Sequence, residues 1–598
     1  MDRMPEPLEN YALIGDCRSA SLVGRTGSID WLCMPRFDSA SLFARILGDE
    51  THGHWSLNPV GALECTSRHY EEDTFILVTR WVTETGEVEV IDSMPHGDGA
   101  ADVARRVVGI SGEVTMEQML RIRFDYADAM PWVRQTGTDE APELVAIAGP
   151  DAVIVRGPHF YAVDHAHRAE FTVRAGETVD TVLTWFPSHK TPYPALDLDQ
   201  QLADTREWWR RWARACAEPG AYDAEVRRSL LVLRALTHET TGGIVAAPTT
   251  SLPEDMGGSR NWDYRYVWLR DAALTLEALM LHGYEREAHE WRDWLLRAIA
   301  GDPEDVQIMY GLSGERRLDE RELPSLPGYR GSSPVRMGNA AYTQFQGDIF
   351  GEVMIALEDA RDMGVAEDDF SWSLQVALLE HISENLDRED NGIWEIRGPH
   401  QRFTHSRAMI WAAFDRGIAA VHKHGLRGPV ERWELVRAQL GDEIERLGFN
   451  SEFGHYVQHY ETTEVDASLL QLAQIGYVAY DDPRMLGTVE EIERTLLRDG
   501  LPLRYRTESG VDGLEGDEHP FLTCAFWLVE QYARSGRLDD AVVLMDRLVG
   551  LANDVGLLSG VRHGQRVPHG QHPSSALAPL ARAGRRRDRL RSAMTAQQ

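Results

Sequence analysis

With 598 residues, 43% hydrophobic and 26% charged, the chain is globular in composition and too long for one compact core, so two large units are expected. A formal net charge of −34 excludes nucleic acid and anionic membrane surfaces as partners. It suits a small neutral ligand, or simply an acidic surface kept for solubility. Cys17, Cys33, Cys65, Cys216 and Cys524 are scattered, odd in number and without CxxC spacing, which indicates neither a disulfide framework nor a metal site. The opening MDRMPEPLENYALIGD lacks the apolar run of a signal peptide, and no run of about 18 apolar residues follows. A cytoplasmic location is therefore expected.

Residues 1–196 read as β-rich. Phe75–Thr83 and Glu87–Asp92 flank Thr85-Gly86 as a hairpin, and Phe171–Val173 and Thr181–Phe186 continue the pattern. In Met119–Tyr126, Leu120, Ile122, Phe124 and Tyr126 alternate with polar residues, the period of a half-buried strand. An antiparallel sandwich is the simplest architecture. Residues 197–222 form a helical linker, and from 223 to 558 the period becomes helical. Helices are expected near 224–239, 266–282, 284–299, 342–364, 368–386, 404–425, 429–447, 466–479, 484–497, 520–536 and 537–553. Long polar loops alternate with short turns, which suggests an α/α barrel with its site on the wide-loop face; an array of helical repeats finds no fixed sequence period to support it.

Four loop-to-helix junctions are dense in polar and aromatic residues. GSRNWDYRYVWLRD (258–271) interleaves aromatics such as Trp262 and Trp268 with Asp263, Arg265, Arg270 and Asp271, flat apolar faces beside hydrogen-bonding groups, as a sugar ring requires. NGIWEIRGPHQRFTH (391–405) places Glu395 after Trp394, with Arg397 and His405 following; an indole against a carboxyl would raise its pKa and keep it protonated. DGLEGDEHPFLTCAF (512–526) sets Glu515, Asp517 and Glu518 before an apolar helix, where the helix dipole alone also favours acids. SPVRMGNAAYTQFQGDIFGE (333–352) is the fourth. Glycoside hydrolysis needs two carboxyls, and the second and third junctions can supply one each.

At these motifs the chain resembles glycoside hydrolase family 15, the glucoamylase, glucodextranase and bacterial trehalase group, and within it the actinobacterial trehalase branch. The segments Ile14-Gly15-Asp16 and Gly27-Ser28-Ile29-Asp30-Trp31-Leu32-Cys33 are similar to the trehalase-type N-terminal domain of that family. The resemblance covers about residues 1–558. It implies a β-sandwich followed by an (α/α)6 barrel, cleavage of α-glucosides by inversion, trehalose ahead of α-glucan oligosaccharides, and no redox cofactor. It implies Glu395 as general acid and Glu518 as general base, in inverting enzymes roughly 6.5–9.5 Å apart. Arg270 and Asp271 would grip the non-reducing glucose, with Trp262 and Trp268 nearby; Asp263, Arg265, Trp394, Arg397 and His405 complete the binding candidates.

Two features depart from the family pattern. The base motif reads Glu518-His519-Pro520-Phe521 where the family has Glu-Gly-Ala-Phe or Glu-Gly-Thr-Phe, and Pro520 biases His519 towards extended geometry. Residues 560–598 hold eight Arg, one Asp and no aromatic residue, unlike the rest of the chain. A frameshift near Leu558 and a genuine basic tail both account for that composition; either way, the sequence predicts no twelfth helix from this segment. Other readings of the whole chain are a disaccharide phosphorylase, which needs no base carboxylate, and a non-catalytic carbohydrate binder.

Overall fold

The computed structural model describes residues 4–97, 99–216, 222–513, 516 and 519–558. Leu514, Glu515, Asp517, Glu518 and the tail lie outside the described residues. The first unit is antiparallel β, built around the 21-residue strand Ala101–Arg121, which serves two layers. Its first half pairs with Gly86–Ser93 and Thr178–Pro187, its second with His54–Pro59 and Ala166–Arg174. The passage between layers falls at Gly109 and Gly112. A Cβ on Gly109 would stand 1.9 Å from the Arg174 carbonyl oxygen, and Gly112 has φ +64°, so side chains are excluded where the backbones close. Val88, Val90, Val107, Val114 and Met116 fill one buried cluster of this unit, while Trp55, Leu77, Val103, Leu120 and Leu183 join the main core.

The hairpin forms as Leu77–Val82 against Gly86–Ser93. The strand expected over 119–126 stops at Arg121. Leu120, Ile122, Phe124 and Tyr126 are all buried as their alternation predicts, but Asp125, Tyr126 and Ala127 take positive φ and turn the chain.

Helix α1 (Leu198–Ala213) lays Leu198 and Leu202 on Ala104 and Val182 of the sheet. The helical unit follows: α2 (Asp223–Ala235), α3 (Leu269–Leu281), α4 (Glu285–Ala298), α5 (Asp348–Asp362), α6 (Asp369–Glu384), α7 (Thr404–His424), α8 (Val430–Glu443), α9 (Gln471–Gln474), α10 (Pro483–Thr495), α11 (Leu522–Arg534) and α12 (Leu538–Val549). Helices α3, α5, α7 and α11 are buried around most of their circumference, whereas α4, α10 and α12 bury one stripe, the alternation of an inner and an outer ring. Two expected helices are shorter than their period. Residues 340–343 form a 3-10 turn, so α5 starts at Asp348, and 466–479 reduces to a 3-10 turn and the four-residue α9.

The units are bonded to each other. Trp31 Nε1 donates to the Pro248 carbonyl at 2.8 Å, Asn553 Nδ2 donates to Glu9 and Tyr11 carbonyls, and Arg68 forks onto Asp554. No helix among the described residues is long and apolar enough to cross a membrane.

Candidate active site

The loops at one end of the helical unit enclose a pocket of about 830 Å³, part of it open to solvent. Its lining comes from segments far apart in the chain: Glu254, Arg260, Trp262 and Tyr264 from the loop before α3; Arg270, Asp271 and Leu274 from α3; Asn339 and Ala341; Ile393, Trp394, Glu395 and Arg397; and Arg504, Tyr505, Phe521, Thr523 and Trp527 from the loop and helix around α11.

Glu395 stands at the centre of the polar contacts. It has φ +56°, the left-handed region that a residue with a side chain enters only when held there. The restraints are visible. Its N–H donates to the Gly392 carbonyl at 3.1 Å, Gln344 Nε2 donates to the Glu395 carbonyl at 3.2 Å, and Asn391 Nδ2 donates to the Ile396 carbonyl at 3.0 Å. Trp268 Nε1 donates to Glu395 Oε1 at 2.6 Å, and Arg270 Nη2 lies 3.4 Å from the same oxygen. Burial pushes the Glu395 carboxyl above its ordinary range; Arg270 and the indole N–H pull the other way, and Asp271 adds to the rise.

Arg270 is fixed at three points: Asp271 Oδ2 at 3.0 Å, the Ile393 carbonyl at 2.6 Å and Glu395. Behind it, on α5, lie two buried carboxyls one helical turn apart. Burial pushes Asp348 up to about 7, with Arg270 opposing, and Glu352 up to about 8, with the neighbouring Asp348 adding to the rise. The opposite wall is held by ion pairs. Arg504 and the Tyr264 hydroxyl both donate to Glu254 at 2.8 Å, while Arg260 donates to Asp512 at 2.7 Å and to Tyr505 OH at 3.2 Å.

The sequence candidates separate in the folded chain. Trp262, Arg270, Asp271, Trp394, Glu395 and Arg397 meet at the pocket. Trp268 is buried beneath it and reaches the site through Glu395. The indole expected against Glu395 is thus that of Trp268; Trp394 points its N–H at Asp466, at 2.8 Å, and its ring towards Tyr505, Phe521 and Trp527.

Asp263 and Arg265 do not line the pocket. They form a fork-to-fork pair at 2.7 and 2.9 Å with no exposure, and Arg265 stacks on Trp31 and Tyr126 of the β unit. Their polarity serves the contact between units. His405 is also buried away from the pocket: its Nε2 meets Gln471 Oε1 at 2.5 Å, and burial pushes it down to about 4, so it is neutral. Glu518 lies outside the described residues, but Phe521, Thr523 and Trp527, just after it, line the pocket. Glu254, Arg260, Asn339, Arg504 and Tyr505 also line the pocket and are not among the sequence candidates, although Arg260 and Asn339 fall within the junctions 258–271 and 333–352.

Among the described residues, two side-chain groups have metal-ligand spacing: Cys17, His96 and Glu239, and Glu358, Asp362 and His424. Neither contributes to the pocket lining, and each is already served by a cation, Arg234 on Glu239 and Lys423 on Glu358.

Residues 220–557 match the family described as glycosyl hydrolases family 15, and residues 2–183 match the trehalase-like N-terminal family. The chain belongs to glycosyl hydrolases family 15. It is 33% identical over 579 residues to a trehalase of Mycolicibacterium smegmatis, covering 92% of this chain and 86% of that relative. It is likewise 33% identical to a trehalase of Thermoplasma acidophilum, covering 90% and 92%. A bacterial glucoamylase complexed with acarbose superposes with a TM-score of 0.72 at 12% identity, covering 98% of this chain and 95% of that one, which shows a shared fold, a β domain followed by an (α/α)6 barrel. This protein is therefore a glycoside hydrolase.

Proposed function

We propose that the enzyme hydrolyses α,α-trehalose to two molecules of glucose with inversion, Glu395 acting as general acid and Glu518 as general base. The observation that carries the reading is Glu395 itself: a carboxyl whose acidity burial weakens, aimed into the pocket by a constrained backbone, beside the Arg270–Asp271 pair. A protonated Glu395 delivers its proton to the bridging oxygen as the bond to the anomeric carbon breaks. Arg270 and Asp271 bind hydroxyls of the ring that carries the developing charge. Glu518 takes a proton from the water attacking the opposite face, a role supported by the residues after it that line the wall. Trehalose is favoured by the trehalase relatives, whose alignment runs through both units. A cytoplasmic location belongs to the same proposal, supported by five thiols outside any disulfide.

The test is incubation with trehalose, maltose and isomaltose, with the released anomers followed by NMR. Inversion of α,α-trehalose releases one α- and one β-glucose per event, and retention releases two α. Turnover of maltose or isomaltose alone would overturn the substrate assignment, and early appearance of α-glucose alone would overturn inversion.

A further inference from the structure

Arg397 is the one exposed residue in the described pocket lining, which marks it as the mouth. Its guanidinium lies 4.0 Å from the centroid of the Trp262 ring, and that of Arg336 lies 4.6 Å from the same ring. Two guanidiniums so close repel one another. Burial, with Arg397 adding its like charge, holds Arg336 below the ordinary arginine range. Glu320 lies between them: Oε1 is 3.3 Å from Arg336 Nε, and Oε2 accepts from Arg397 Nη2 and from the Ala340 N–H, each at 3.1 Å.

The platform under this cluster is stiff. Glu320 immediately precedes Arg321–Glu322, which pairs with Arg336–Met337. The Arg336 backbone is bonded to Ser251 and Thr250, and its Nη1 donates to the Ser259 and Asn261 carbonyls. Arg397 has less support: its N–H donates to the Asp512 carbonyl, and its guanidinium rests on Trp262 and donates to Glu320.

We propose that Glu320 is a specificity-determining positioning residue, which holds Arg336 and Arg397 on Trp262 and so shapes the part of the pocket that receives the leaving sugar. The inference rests on the α-glucoside hydrolase reading above. Glu395 and Arg270 lie on the inner side of the pocket and Arg397 at its mouth, so the sugar beyond the cleaved bond meets the Trp262–Arg397 face. With the carboxylate neutralised, like-charge repulsion drives Arg397, the less tethered of the two, towards solvent. The mouth widens and loses its planar donor. The first ring, held by Arg270 and Asp271, is untouched.

The experiment compares wild type, Glu320→Gln and Arg336→Lys on trehalose, maltotriose and α-glucosyl fluoride, after melting curves confirm that each variant is folded. The fluoride has no leaving sugar and is the internal control. In both variants the trehalose KM should rise roughly tenfold with kcat within about twofold, the pattern of a lost binding contact. The preference for trehalose over maltotriose should narrow by a similar factor, and kcat/KM on the fluoride should not move. An equal loss on the fluoride, or an unchanged trehalose-to-maltotriose ratio in either folded variant, overturns the proposal. A wild type inactive on every α-glucoside overturns the functional reading first, and this inference with it.

Discussion

The φ of +56° at Glu395 costs on the order of 1 kcal/mol, which Gln344 and Asn391 offset by bonding the Glu395 and Ile396 carbonyls. The conformation carries the side chain to the Trp268 indole and Arg270, so carboxyl position and acidity are set together. Glu395→Gln keeps the shape and removes the proton, and kcat on trehalose should fall by at least about 10² with binding nearly unchanged. Near-normal turnover of that variant would remove Glu395 from the chemistry. Asp271 is a different kind of residue. It holds Arg270 and faces the pocket, and deleting one partner of a buried hydroxyl contact costs about 1–3 kcal/mol. Asp271→Asn should therefore lower kcat/KM by about 5–150-fold with its melting temperature within a few degrees of wild type. If the variant unfolds while its folded fraction keeps full specific activity, the Arg270–Asp271 pair is structural.

At the scale of elements, apolar period revealed where helices lie but not where they yield to the site. Periodicity reports burial, and the shortened helices lose their ends to hydrogen bonding instead. Before α5, Asn339 faces the pocket and Gln344 bonds the Glu395 carbonyl, which breaks the helix expected from 342. Around α9, Asp466 is taken by Trp394 and Gln471 by His405, and the expected 14-residue helix becomes four residues. Local residue density made Arg270, Asp271, Trp394 and Glu395 legible. Arg260–Asp512 and Glu254–Arg504 were not, because partners about 250 residues apart leave no local pattern.

Helix α5 also carries a pH dependence. A glutamate carboxyl ordinarily ionises near 4.5, and Glu352 is pushed up to about 8, so between those values the unfolded chain has lost a proton that the folded protein keeps. Stability from this group is full at low pH and declines as pH rises towards about 8, by at most about 1.4 kcal/mol per pH unit. Glu352→Gln cannot ionise. Its melting temperature should gain on wild type between pH 6 and pH 9, and a constant difference across that range would show that Glu352 is already ionised.

At the scale of the molecule, the β unit is tied to the pocket through a pair that looked, in sequence, like sugar-binding groups. Asp263 accepts both ends of the Arg265 fork, and its Oδ2 also accepts the Gly338 N–H at 3.1 Å. Its carbonyl accepts from Asn339, which lines the pocket. Arg265 reaches the other way, donating to the Ser39 carbonyl at 2.8 Å and stacking on Trp31 and Tyr126. Removing the guanidinium strands a carboxylate with no solvent access, which costs about 3–5 kcal/mol, more than the whole pair need contribute over an apolar replacement. Arg265→Met should thus lower the melting temperature, and the folded remainder should lose kcat/KM because Asn339 is no longer held. The double variant Asp263→Asn with Arg265→Met removes the stranded charge and should recover part of the stability without restoring activity. Calorimetry with parallel kinetics decides the matter: a single variant that melts like wild type, or a double variant no more stable than the single, would mean that the two units hold together without this pair.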